Sequence, residues 1–205
     1  LNNWQKFIQS FTPIGLTAGL QSGLPLVLAN NTVNKPGFMI GMRLNILLKS
    51  KIELRAGISY TQPFFESFIM DSRLGVPVEK APQNDFKFYK AEALLSSIQM
   101  DLGLHYRLLN SRISPAIGIG TGFMTPLASK LSYDFVQGVI EYPIDKAYKP
   151  EIKNPFSLQL MGSLDYTINA RWSWTLQSVW HRKLHKNNLL ANRFDLLTGI
   201  NFRLY

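Results

Sequence analysis

Residues 37–60 read GFMIGMRLNILLKSKIELRAGISY. On an extended chain Phe38, Ile40, Met42, Leu44, Ile46 and Leu48 share one side, with Arg43 and Asn45 on the other. After Lys49-Ser50-Lys51 the same period resumes: Ile52, Leu54, Ala56, Ile58 and Tyr60 stand against Glu53, Arg55, Gly57 and Ser59. A helix crossing a membrane needs about 20 consecutive apolar residues, and these charges cut the run far shorter. The stretch reads as a β-hairpin whose two strands each carry one apolar and one charged face. Which face is inside decides the fold.

The alternation recurs in eight segments: Ile14 to Leu28, Phe38 to Leu48, Ile52 to Tyr60, Leu94 to Arg107, Ile113 to Phe123, Phe156 to Ile168, Trp172 to Trp180, and Arg193 to Leu204. Ser96 is a weak spot on the apolar face of the fourth. Tight turns at Lys49-Ser50-Lys51, Leu108 to Arg112 and Asn169-Ala170 alternate with long connections at 29–36, 61–93, 125–155 and 181–192. That rhythm is an up-and-down meander. Helical periodicity is confined to Leu1 to Phe11, where Trp4, Ile8 and Phe11 fall together; a flexible lead-in reads equally well.

Three observations turn the apolar face outward. The ionised strand residues Arg43, Glu53, Arg55, Asp101, Arg107, Asp165, Arg193, Asp195 and Arg203 all lie on the other face. Lipid enforces such purity, since a basic side chain facing the bilayer midplane costs about 2–4 kcal/mol. The charged face also holds Gly15, Gly19, Gly41, Gly57, Gly103, Gly118, Gly120 and Gly199. Long arginines need small neighbours inside a narrow eight-stranded bore. Finally, aromatics collect at both ends of the apolar face. Phe38, Tyr60, Phe123, Phe156, Trp180 and Phe194 stand at the long-loop end, and Tyr106, Tyr166, Trp172, Trp174 and Phe202 near the tight turns. Two such girdles suit the two interfaces of a bilayer.

The 205-residue chain has no cysteine, which excludes disulfides and cysteine-based metal sites. No spacing points to a metal cluster or a cofactor. The net charge of +9 suits anionic partners. The chain starts at Leu1 without a signal-like segment, as expected of a mature form or of a domain cut from something longer.

With these features and its C-terminal Asn201-Phe202-Arg203-Leu204-Tyr205, the chain resembles small bacterial outer-membrane β-barrels of the OmpA/OmpX-like, porin-family superfamily. The resemblance implies an all-β fold: an eight-stranded antiparallel up-and-down transmembrane β-barrel with tight periplasmic turns and long extracellular loops. It places the protein in the cell envelope, in the bacterial outer membrane. Residues 1–13 become a periplasmic lead-in and 14–205 the barrel domain. The terminus departs in one respect. Tyr205 is out of phase with the lipid face of Ile200 and Leu204, so either a bulge re-aims it or Leu204 is the last lipid-facing residue.

The lumenal arginines (Arg43, Arg55, Arg107, Arg193, Arg203) and carboxylates (Glu53, Asp101, Asp165, Asp195) nearly balance. Buried charges must be paired, so an ion-pair network is expected, with His105, Gln99 and Gln159 filling gaps and Asp101 beside Gly118. Eight strands leave no aqueous channel, which favours a structural plug over a pore. Lys130, Lys146, Lys149, Lys153, Arg182, Lys183 and Lys186 gather in the last two long loops. In the resembled family these face outside, beside the phosphates of lipopolysaccharide. The apolar groups Phe64, Phe65, Phe68, Ile69, Met70 and Val136, Val139, Ile140, Tyr142 are expected to extend strands above the membrane or to fold over the mouth, loop packing on loop.

Some barrels of this kind act on lipid A or peptides through His with Ser, Asp or Glu. Here His105 is lumenal, His181 and His185 lie in the last loop, and no spacing gives any of them a nucleophile or paired acid. The chain is therefore read as no enzyme. The leading function is a non-catalytic structural, anchoring or partner-binding envelope component, expected within a larger complex. The alternatives are a C-terminal barrel of a longer signalling protein that senses the cell surface and a lipid A-modifying enzyme. The expected partners are outer-membrane lipid, lipopolysaccharide and other envelope proteins met through the long loops or the N-terminal segment. No nucleic acid is expected.

Overall fold

The computed structural model describes residues 3–29, 31–49, 51–71, 76–83, 85–149, 155–183 and 192–205. A short helix, α1 (Asn3–Ser10), leads into the strands. These are β1 (Pro13–Val27), β2 (Thr32–Leu48), β3 (Ile52–Ser67), β4 (Lys87–Leu94), β5 (Ser97–Arg107), β6 (Ile113–Pro126), β7 (Ser129–Gln137), β8 (Ile140–Tyr148), β9 (Phe156–Thr167), β10 (Trp172–Lys183) and β11 (Asn192–Arg203). Eight of them, β1, β2, β3, β5, β6, β9, β10 and β11, close into an antiparallel barrel. Closure comes from pairing of the first and last strands, from Thr17 opposite Arg203 to Val27 opposite Arg193.

The register sets the tilt. Followed through β1 and β2, the partners of Leu197 lead to Thr61 on β3. Followed the other way through β10, β9, β6 and β5, they lead to Lys51, ten residues lower. With strands about 4.8 Å apart and about 3.3 Å per residue, that stagger tilts the strands by about 40°. The bore is then just wide enough to be filled by side chains.

The long connections 61–93 and 125–155 are not loops throughout. β2 and β3 run on above the aromatic girdle, β4 continues the line of β5, and β7 that of β6. The fourth segment is interrupted at Leu95–Ser96 without a change of register, since Thr61 faces Ser97 and Phe64 faces Leu94. At that joint Tyr60 Oη and Gln62 Nε2 both donate to Ser96 Oγ, at 3.1 and 2.9 Å. β4 pairs with β7, and β7 with β8 through a two-residue turn whose Gly138 has φ 63°, the left-handed conformation that tight hairpins require.

This extension has its own core of Val27, Phe65, Val76, Ala91, Ala93, Leu95, Leu131, Tyr133 and Phe135. Met70, Ile144 and Tyr148 pack against it, and Tyr133 Oη donates to the Pro77 carbonyl at 3.0 Å. Of the two apolar groups read from the sequence, Phe65 enters this core and Met70 packs against it. Phe68, Ile69, Val139, Ile140 and Tyr142 stay exposed. At the other end, Leu16 accepts from Leu204 N and donates to Tyr205 O, two residues against one. The terminus therefore carries a bulge.

Candidate functional site

The outer wall is apolar from rim to rim. Phe38, Ile40, Met42, Leu102, Leu104, Ile117, Ile119, Leu158, Leu160 and Ile200 are all exposed on it. Tyr106, Phe123, Phe156, Trp172 and Trp180 are exposed at the two margins, with Tyr60, Tyr166, Trp174, Phe194 and Phe202 half-buried there. Rings meet across neighbouring strands: Phe38 with Tyr60, Phe123 with Phe156, and Trp172 with Phe202, at centroid distances of 5.6, 5.3 and 4.9 Å. Arg112 covers the Tyr166 ring at 5.0 Å.

The lumen is filled in three layers. At the tight-turn end Arg55 bonds Glu53 and Asp165, each at 2.9 Å, and Arg107 reaches the second oxygen of Glu53 at 2.9 Å. Thr175 donates to Asp165. Asn201 Nδ2 donates to Thr175 Oγ1 at 2.8 Å, and Asn201 Oδ1 accepts from Arg43 Nη2 at 3.1 Å. Arg43 thus meets amides, including Gln177, and no carboxylate directly among the described residues. His105 is buried beside this layer, and neither ring nitrogen has a hydrogen-bond partner among the described residues. Arg203 is exposed at the mouth, outside the paired set.

The second polar layer is a closed circuit near the other end. Gln99 Nε2 donates to Asp101 at 2.7 Å, and Gln99 Oε1 accepts from Arg193. Arg193 bonds Asp195 at 2.7 Å, and Asp195 meets His181 Nε2 at 2.8 Å. Gln159 approaches His181 Nδ1 at 3.4 Å and donates back to Asp101. Gly122 makes room for the circuit, since a Cβ there would lie 2.5 Å from Gln159 Nε2 and 2.9 Å from Asp101 Oδ1. Between the layers Met39, Met161, Val179 and Leu197 form an apolar waist. The cavity beside it holds about 30 Å³, room for a water or two.

Two sequence expectations are corrected here. Asp101 stands opposite Gly122, and it is His105 that faces Gly118. The turn after Arg107 centres between Ser111 and Arg112, so the partner of Asp101 slips by four residues. His181 lies in the lumen and not in the last loop, because β10 continues past Trp180 in unbroken alternation. The register also brings Gln177, Thr175 and Asn201 into the network, which the sequence reading above did not single out.

Above the membrane a second charged array lies on the outward face of the extension. Lys35 sits 2.6 Å from Glu66 and 2.7 Å from Glu92; Lys90 sits 3.0, 3.1 and 3.6 Å from Glu66, Glu92 and Asp134. The hydrogen bond from Lys35, reinforced by Lys90, holds the Glu66 carboxyl down to about 2. Its hydrogen bonds to Glu66 and Glu92 push the Lys90 ammonium up. Of the expected basic contacts, Lys130 lies 3.7 Å from Asp145 and Lys146 bonds Glu79, whose carboxyl it lowers. Lys149 and Arg182 are exposed. Lys153, Lys186 and His185 fall outside the described residues, as does the Lys183 side chain. No cluster able to hold a metal occurs among the described residues.

No family model matches the chain, and no curated protein matches it. Solved structures similar to it include Neisserial surface protein A, 12% identical with a TM-score of 0.46 over 91% of this chain and 96% of that one. Ail, the attachment invasion locus protein of Yersinia pestis, is 10% identical with a TM-score of 0.47 over 93% of this chain and 97% of that one. The N-terminal β-barrel domain of Pseudomonas aeruginosa OprF is 9% identical with a TM-score of 0.44 over 93% and 99%. All three are bacterial outer-membrane barrels.

Proposed function

We propose that the chain is a non-catalytic outer-membrane component whose exposed part carries the function, since an eight-stranded closed barrel that is apolar outside and polar within is built to span a bilayer. The barrel anchors and braces; the extracellular extension meets partners. The observation that supports this is the extension itself, a folded sheet with a private apolar core joined without a break to the barrel wall. A chain needing only an anchor has no use for such a core. The filled lumen supports the same reading, since two polar layers and an apolar waist leave space for a water or two and no path.

The exposed Lys149 and Arg182, with Lys130 at the rim, suit charge-assisted bonds to lipopolysaccharide phosphates. The test is conductance of the folded protein in a planar bilayer. Background current is expected, and a stable conducting state would replace this reading with a pore.

A further inference from the structure

A pocket of about 40 Å³ lies at the tight-turn mouth of the lumen. Arg107, Arg171 and Arg203 line it, together with Thr17 and Ser173. The carboxylates Glu53 and Asp165 are buried at its inner side with Asn45 and Asn201, all residues of the lumenal face. The pocket therefore opens along the bore and not onto the lipid-facing wall.

Its charge does not balance. Both carboxylates are already engaged from within. Arg55 Nε bonds one oxygen of Glu53 and Arg107 Nε the other, each at 2.9 Å. Arg55 Nη2 bonds one oxygen of Asp165 at 2.9 Å, and Thr175 donates to the other. Arg171 and Arg203 are exposed, and among the described residues no carboxylate pairs with either guanidinium. With Arg55 behind the floor, four guanidinium groups stand against two carboxylates, which leaves two positive charges at the mouth. The tight turns around it add Lys49, Lys51 and Arg112 and contain no acidic residue. Two hydroxyls complement the arginines. Thr17 Oγ1 accepts from Asn45 Nδ2 at 2.9 Å, and Ser173 Oγ accepts from Asn201 Nδ2 at 3.5 Å. Each hydroxyl keeps its own proton to donate.

We infer that this mouth is a carboxylate-binding site, filled by one acidic side chain of a periplasmic peptide, with Arg171 and Arg203 as the charged donors and Thr17 and Ser173 beside them. Guanidinium forks match a planar pair of oxygens, and charge-assisted bonds of this kind are the strong ones. The volume is that of about three waters, which admits one carboxylate and is tight for a tetrahedral phosphate. A lipid headgroup would have to leave its leaflet and turn into the bore. The inference rests on the membrane reading above, which sets this mouth in the periplasm, on the far side of the bilayer from the extension.

Amide NMR of the folded chain in phosphatidylcholine nanodiscs tests it, with N-acetylglutamate N-methylamide, its glutamine counterpart and inorganic phosphate as separate titrants. The glutamate compound is expected to shift the signals of Thr17, Arg171, Ser173 and Arg203 to saturation, and the glutamine compound to leave them in place. Arg171→Gln combined with Arg203→Gln is expected to weaken the glutamate compound at least tenfold. Should that double variant not fold, Arg171→Gln alone is expected to weaken it about threefold. Lys49→Gln with Lys51→Gln, on a turn outside the pocket, serves as the control and is expected to change the affinity less than about twofold. Equal weakening by the arginine and lysine variants overturns the site in favour of diffuse surface charge, and tighter binding of phosphate overturns the carboxylate. Failure of the unsubstituted chain to fold into bilayers defeats the membrane reading and this inference with it; folding without saturable shifts defeats only the site.

Discussion

The lower and upper parts of β3 carry opposite chemistry on the same two faces. Up to Thr61 its inward side chains are Glu53, Arg55 and Ser59, and its outward ones Ile52, Leu54 and Ile58. Above it Phe65 turns inward and Glu66 outward. β4 and β7 repeat the upper pattern, with Ala91, Ala93, Leu131, Tyr133 and Phe135 inside and Lys90, Glu92 and Asp134 outside. The pleat does not change; the solvent does. Lipid outside the barrel drives charges into the bore. Water outside the extension returns them to the surface and calls for an apolar core.

The two arrays of charge should therefore differ in energy. The lumenal pairs are almost fully buried, so removing one partner strands the others without water. Arg55→Leu leaves Asp165 with no cation and Glu53 with only Arg107. We expect a loss of roughly 3–5 kcal/mol, seen as a lowered urea midpoint for unfolding from lipid vesicles. An unchanged midpoint, with normal heat-modifiable migration, would mean that these arginines do not brace the barrel.

Phe135→Ala sharpens the contrast from the other side. Its cost of about 3–5 kcal/mol should fall on the extension. Amide exchange is expected to rise in β4, β7 and β8 and to stay slow in β9, β10 and β11. Uniform loss of protection would show one cooperative unit in place of two.

The smallest effect belongs to the outward array. Lys90→Met is expected to cost no more than about 1 kcal/mol, the range of partly exposed pairs. Glu66 also gives that array a pH signature. Its carboxyl is held at about 2 against an ordinary 4.5, so its contribution is complete above 4.5 and disappears as pH falls toward 2. Limited proteolysis of the extension should quicken across that window in the parent protein and much less in Glu66→Gln.

The barrel was legible because period-2 alternation is a local property. The extension was not, and β3 shows why. Around Gln62 to Glu66 the apolar set changes face, so Phe64 and Phe65 are adjacent and a search for steady alternation stops at Tyr60. Ser96 marks the same change on the neighbouring strand, where it satisfies Tyr60 and Gln62. His181 was missed for a simpler reason. Trp180 resembles the end of a strand at the girdle, yet the next residue still points inward.

Arg43 and Arg55, set in an apolar run, by themselves determine that the polar side is the inside. An alternating strand with charge confined to one face admits only that orientation in lipid, since every residue of the stripe feels the same solvent. The partner of each arginine was decided only by closure. Asp165 is 110 positions from Arg55 and Gln99 is 94 from Arg193. What brings them together is the ten-residue stagger of eight strands around a bore, a quantity carried by the whole ring of pairings and by no single stretch of the chain.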